Sequence, residues 1–246
     1  MPEDIVAEAI RIVEEAKRRE LTLRIMGAVA IRIKCSKYTY ILNSLQRQLT
    51  DIDFMAYSKH GPKICSLLKE LGYELKRDML IHEGRFFFYK PNSGVKVDVF
   101  LDKLRMSHTI NFKDRLELDY PTIPLSDLVL EKLQIAKITE KDLKDLLALF
   151  RAYEVSDDDK AINGRYIAKL LADDWGFYYT VTSNLEILRD FIAHVNIPKE
   201  DKRNVLDKIS GLSITIEREP KTLKWRLRSK VGTKVKWYTD VEEAER

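Results

Sequence analysis

Cysteine is scarce: the 246 residues contain two, Cys35 and Cys65. Neither has the spacing of a metal-ligand or redox pair. This excludes a disulfide framework and leaves buried thiols in a reducing, cytoplasmic setting. The four histidines, His60, His82, His108 and His194, are scattered. They give no zinc pattern, and each is expected at the surface or behind a site. No apolar run approaches membrane-spanning length, and no apolar N-terminal stretch precedes a cleavage site, so no membrane partner is expected. Low-complexity segments and internal repeats are absent. An excess of one charge sign is also nearly absent: the net charge of +4 permits a nucleic-acid partner but argues for one only where the charge clusters.

What remains is an ordinary globular composition, 45% hydrophobic and 33% charged, long enough to bury a sizeable core in one or two domains. A helical face runs through Ile5, Ala9, Ile12 and Val13, with Lys17-Arg18-Arg19 near its end. Ile64, Leu67, Leu68 and Leu71 mark a second helix that stops at Gly72. Val29 to Cys35 reads as helix or short strand, and Ser36 to Ser44 as loop or weak helix. Phe86-Phe87-Phe88-Tyr89 and Val95 to Leu101 form a hairpin across Pro91-Asn92-Ser93-Gly94, its aromatics in the sheet core. Leu104-Arg105-Met106 and Leu116-Glu117-Leu118 are candidate strands. Pro121 and Pro124 break the chain. Helical patterns then dominate: Ser126–Ala136, Glu140–Tyr153, Asn163–Leu171, Asn184–Val195 and Lys199–Ile209, with Gly211 and Pro220 punctuating the end. The expected fold is α+β: a mixed sheet with flanking helices over residues 1–122, followed by a helical C-terminal domain over 123–246.

The chemistry concentrates in three segments of the first part. In Leu49-Thr50-Asp51-Ile52-Asp53-Phe54, apolar residues and carboxylates alternate as on a strand, so Asp51 and Asp53 share one face. Taken alone, Asp-x-Asp reads as a solvated pair at a strand end. Upstream, Leu23 to Met26 reads as a strand that turns at Gly27-Ala28 into a helix, a geometry that lets phosphate approach the backbone. Downstream, Val95 to Leu101 is a β-branched strand with one acid, Asp98, in its apolar middle. An acid there is either exposed on a polar face or partnered.

The ordered set Gly27-Ala28, Asp51-x-Asp53, Asp98 resembles the nucleotidyltransferase superfamily of polymerase-β-like enzymes. The long gap from Gly27 to Asp51, with Arg47 before the acids, looks more like the abortive-infection (type IV) toxin-like nucleotidyltransferases. The resemblance implies transfer of a nucleoside monophosphate from an NTP to an RNA, protein or small-molecule acceptor. Asp51, Asp53 and Asp98 would be the catalytic and metal-binding residues for Mg²⁺ or Mn²⁺, and Gly27, Ala28 and Arg47 would lie at the nucleotide. It also covers Glu131-Lys132-Leu133 and Lys141-Asp142-Leu143-Lys144-Asp145: Lys132 would contact nucleotide phosphate, with Asp142 or Asp145 orienting it. The reading from spacing alone is a set of solvated i,i+3 pairs. An antitoxin protein is the partner this family implies; a tRNA-like acceptor is the expectation that the basic segment Lys221–Lys236 adds. Ala28 stands where the family pattern has Gly or Ser, so the alternative is a catalytically degenerate module that binds nucleic acid or a partner protein.

Charge does cluster in one place. Seven basic residues lie between Lys221 and Lys236 with no acid among them, and Trp225, Trp237 and Tyr238 flank or interleave them. This reads as a strand or arm whose Lys224, Arg226 and Arg228 contact RNA or DNA phosphates, or as one that packs across the acidic Asp/Glu-bearing sheet of its own chain. Asp157-Asp158-Asp159 reads as a solvated linker.

Overall fold

The computed structural model describes residues 4–76 and 84–241. His82 and Glu83 lie outside the described residues. The chain divides into two compact units: residues 1–36, 48–105 and 110–124 form the first, and 37–47, 106–109 and 125–246 the second. A cut at 122/123 would therefore assign residues 37–47 and 106–109 to the wrong unit.

The first unit is built on a five-stranded mixed sheet in the order β1-β2-β5-β4-β3. Its strands are β1 (Leu23–Met26), β2 (Asp51–Ala56), β3 (Glu74–Leu75), β4 (Arg85–Tyr89) and β5 (Lys96–Leu101). β1 runs antiparallel to β2, β2 parallel to β5, and β4 antiparallel to β5. The hairpin expected across Pro91–Gly94 is the β4–β5 pair. Three helices accompany the sheet: α1 (Ile5–Arg18), α2 (Gly27–Lys34) and α4 (Gly61–Glu70). α1 is capped by Asp4 and buries Ala9, Ile12 and Val13. Within that packed face lies Glu8. Burial pushes its carboxyl up, but hydrogen bonds from Arg11, Tyr73 and Lys90 outweigh this and hold it at about 2. β6 (Lys103–Arg105) and β7 (Thr109–Asn111) form a separate two-stranded ribbon. Leu116-Glu117-Leu118 is not a strand but a run of turns; Leu116 is buried and the Tyr57 hydroxyl donates to Glu117 at 2.6 Å. Cys35 is buried, whereas Cys65, expected to be buried too, is only half-buried.

The second unit contains α3 (Thr39–Ser44), α5 (Leu125–Leu133), α6 (Glu140–Ala152), α7 (Gly164–Asp173), α8 (Trp175–His194), α9 (Lys199–Arg218) and α10 (Leu223–Val231). Two short parallel strands, β8 (Val155–Ser156) and β9 (Ile162–Asn163), bracket the Asp157–Asp159 turn. Two helices run longer than their sequence patterns suggest. α8 begins at Trp175, capped by the Asp174 side chain. α9 continues through Gly211, because Leu212 and Ile216 extend the buried stripe begun by Val205 and Ile209. Among the described residues, no helix is long and apolar enough to cross a membrane.

His108, expected at the surface or behind a site, is buried in this unit. Its ring stacks on Phe177 at 4.8 Å, and Nε2 pairs with Thr180 Oγ1 at 2.8 Å. Burial pushes the imidazole down to about 4, against a smaller upward pull from Asp174. Because the unfolded chain then binds the proton more readily, this contribution is complete above pH ~6.5 and is lost as pH falls toward ~4, an effect of up to about 3 kcal/mol. Urea unfolding should show that loss over this window in the wild type and much less of it in His108→Gln. Identical pH profiles for the two would contradict the assignment.

Candidate metal and nucleotide site

β2 sets the site. Alternation along the strand puts Asp51 and Asp53 on one face, and the parallel register seats Asp98 of β5 directly beside Asp53. The three carboxylates offer oxygens that all lie within 4.8 Å of one another. This is the group of acids and histidines with metal-ligand proximity among the described residues. Two like charges at that distance repel by about 3.5 kcal/mol at an effective dielectric of about 20. The arrangement therefore favours a hard divalent cation, which oxygen donors of this kind hold. Asp98 is neither exposed nor unpaired. It is buried, and Arg85 of β4 donates to both of its oxygens, at 3.0 and 2.6 Å. The Thr50 hydroxyl donates to Asp51 at 2.6 Å.

Gly27 opens α2 beside the same carboxylates, since β1 pairs Met26 with Asp53. Its φ of +68° is one that side chains rarely adopt, and a Cβ there would lie 2.4 Å from Asp53 Oδ2. Only glycine brings the helix start this close to the acid. Ala28 follows, half-buried. Gly27→Ala is expected to cost about 2 kcal/mol in strain and to push the Asp53 carboxylate aside. Thermal melts and Mn²⁺ titration read the two effects; a variant that matches the wild type in both would show that the close approach is unimportant.

Arg85 escaped the sequence reading, although a signal was present. Once the hairpin turn is fixed, Phe87 faces Asp98, and Arg85, two residues earlier, lies on the same face opposite Phe100. Its guanidinium sits 4.7 Å from the Phe100 ring.

The remaining nucleotide candidates, Arg47, Lys132, Asp142 and Asp145, lie in the second unit. They are not solvated helix pairs. Lys132 Nζ is 3.3 Å from Asp142, 3.3 Å from Asp145 and 3.6 Å from Glu131. Arg47 makes a two-pronged pair with Asp145, both bonds 2.9 Å. The Asp145 side chain is 1% exposed and that of Lys132 12%. Burial alone would discharge the lysine, but Asp145, Glu131 and Asp142 reverse this and raise its pKa. Asp142 also completes a capping box with Thr139 at the start of α6.

The basic segment is neither strand nor arm. It is α10 followed by a short 3₁₀ turn, Gly232–Lys234. Arg228 donates to the Gly232 and Val235 carbonyls and lies over the Trp175 ring, so it is occupied within its own fold. Lys224 and Arg226 are exposed.

No protein-family model matches the chain, and no curated protein is significantly similar to it. Among solved structures, the antibiotic-resistance factor ANT(2'')-Ia aligns over 94% of both chains at 12% identity, with a TM-score of 0.39. A likeness that distant carries no argument, and the function has to come from the residues.

Proposed function

We propose that the protein is a divalent-metal-dependent nucleotidyltransferase that moves a nucleoside monophosphate from an NTP to an acceptor hydroxyl. The observation that carries this reading is the carboxylate triad on adjacent parallel strands, with a glycine-started helix packed against Asp53. Asp51, Asp53 and Asp98 would hold Mg²⁺ or Mn²⁺. When bound, the cation would neutralise triphosphate charge and favour departure of pyrophosphate. In the transfer, the acceptor oxygen bonds to the α-phosphorus, the bond from that phosphorus to the bridging oxygen breaks, and pyrophosphate leaves. Asp98, held by Arg85, would receive the acceptor proton or hold the group that does. Gly27 and Ala28 give the backbone surface on which phosphate would rest. Arg47, Lys132, Asp142 and Asp145 are assigned to holding the second unit together rather than to the nucleotide, because their charges are already engaged with one another.

The resemblance to toxin-like enzymes makes tRNA the first acceptor to try. Each α-labelled NTP, incubated with Mg²⁺ or Mn²⁺ and with tRNA, protein and hydroxylated small molecules in turn, should label one acceptor class, and EDTA should abolish the labelling. Absence of metal-dependent NTP binding in calorimetry would remove the proposal in favour of a non-catalytic binding module.

A further inference from the structure

We propose that α10 is a docking helix for a partner protein, and that the partner presents an acidic amphipathic helix with an aliphatic seam. The inference is independent of the catalytic proposal. Leu223, Leu227 and Val231 recur at the i, i+4, i+8 spacing that lines one face of a helix, yet they are 66%, 56% and 41% exposed. Val235, just beyond, is 57% exposed. Scattered exposed aliphatics need no explanation, but a contiguous row of them marks an interaction site.

Disorder of the segment does not explain the row, because the opposite face of α10 is anchored. Trp225 packs edge-on against Tyr178 at 5.1 Å, and Arg228 lies 4.8 Å over the Trp175 ring. Thr222 caps the helix start by accepting from the Trp225 amide. The apolar row is thus held outward by the residues that pack inward.

The flanks of the row define the occupant. On the helical wheel, Lys224 lies to one side of the stripe and Arg226 and Lys230 to the other; Lys234 follows. All four are exposed. The acid near Lys224 is the exposed Asp173, at 3.6 Å, and no acid occurs between Lys221 and Lys236. A partner must therefore offer aliphatics at its centre and carboxylates at its edges, which is the helix-on-helix mode of recognition. A nucleic acid fits less well, because its phosphates would have to cover the leucines at the centre of the face. A lipid surface also fits less well, because the aromatic residues that would sit at the headgroups are turned inward: Trp225 packs on Tyr178, and Trp237 on Trp175 and Tyr179.

The test uses the full chain and a synthetic helical peptide with leucines at i, i+3, i+4, i+7 and glutamates beside them. A scrambled peptide, a mixed-sequence RNA and phosphatidylserine-containing vesicles serve as comparisons. Saturable binding of the ordered peptide alone is expected, with amides of 223–231 gaining protection from hydrogen exchange. Leu223→Asp/Leu227→Asp should weaken binding at least tenfold. Lys224→Glu/Arg226→Glu/Lys230→Glu should do the same and flatten its salt dependence. These side chains are exposed, so melting temperatures should stay near the wild-type value. The proposal is overturned if the ordered peptide does not bind, if its binding survives the leucine substitutions, or if RNA or vesicles bind better and ignore those substitutions.

Discussion

Asp51→Asn/Asp53→Asn should lower nucleotidyl transfer by at least about a thousandfold, since the change removes charge where a transferring phosphoryl group needs it neutralised. Asparagine keeps the volume and can still accept from Thr50, so the sheet is not disturbed. The decisive companion measurement is stability without metal. Three carboxylate oxygens within 4.8 Å of one another repel, so deleting two charges should leave the melting temperature in EDTA unchanged or raised. Mn²⁺, in turn, should stabilise the wild type and not the variant. Acids retained for structure would behave the other way, with the variant melting lower in EDTA. Transfer that persists in the double variant would end the assignment.

Asp145→Ala should cost about 3–5 kcal/mol, read by urea unfolding. Asp145 is buried and serves two cations, accepting both prongs of Arg47 and lying 3.3 Å from Lys132. Removing one member of a buried ion pair strands the desolvated charge of the others, which costs far more than the intact pair contributes. Asp142→Ala is the contrast. Its side chain is 15% exposed, Lys132 keeps Asp145 and Glu131, and the main loss is the capping box, about 1 kcal/mol. Equal costs for the two substitutions would show that the network is not organised around Asp145.

The elements that were legible in the sequence are those whose period is unambiguous. α1 and α4 carry apolar residues at helical spacing, and β2 and β5 alternate cleanly. From β2 Asp51 and Asp53 could be placed on one face, whereas Asp98 joined them only through the family resemblance, because the β2–β5 register that seats it beside Asp53 is not written in either strand. α10 was misread for a physical reason. Lys224, Arg226, Arg228 and Lys230 alternate with Trp225, Leu227 and Ser229, a period of two that suggests a strand. The contacts that decide the matter are Trp225 and Arg228, three residues apart on the face toward α8, and these exist only once the fold has formed. The start of α8 was missed because Trp-Gly-Phe-Tyr-Tyr-Thr-Val-Thr has poor helix propensity; burial of Trp175, Phe177, Thr180 and Val181 overrides it. The Lys132 cluster looked like surface charge because local spacing says nothing about Arg47, which arrives from far away in the chain.

That arrival has a consequence for modularity. The composition changes at Pro124, yet the second unit is assembled from three pieces of chain, one of them residues 37–47. In that piece Ile41 and Leu42 are buried, the Tyr38 ring lies under Arg151, and the Tyr40 hydroxyl donates to Asp201 at 2.6 Å. A gene fragment ending at Pro124 carries those aliphatics without their cover, and a fragment starting at Leu125 takes Arg47 from Asp145 and the Tyr40 hydroxyl from Asp201. The two units are interleaved rather than strung like beads. Recombination between relatives would have to exchange the short inserts together with the C-terminal half to yield a foldable hybrid.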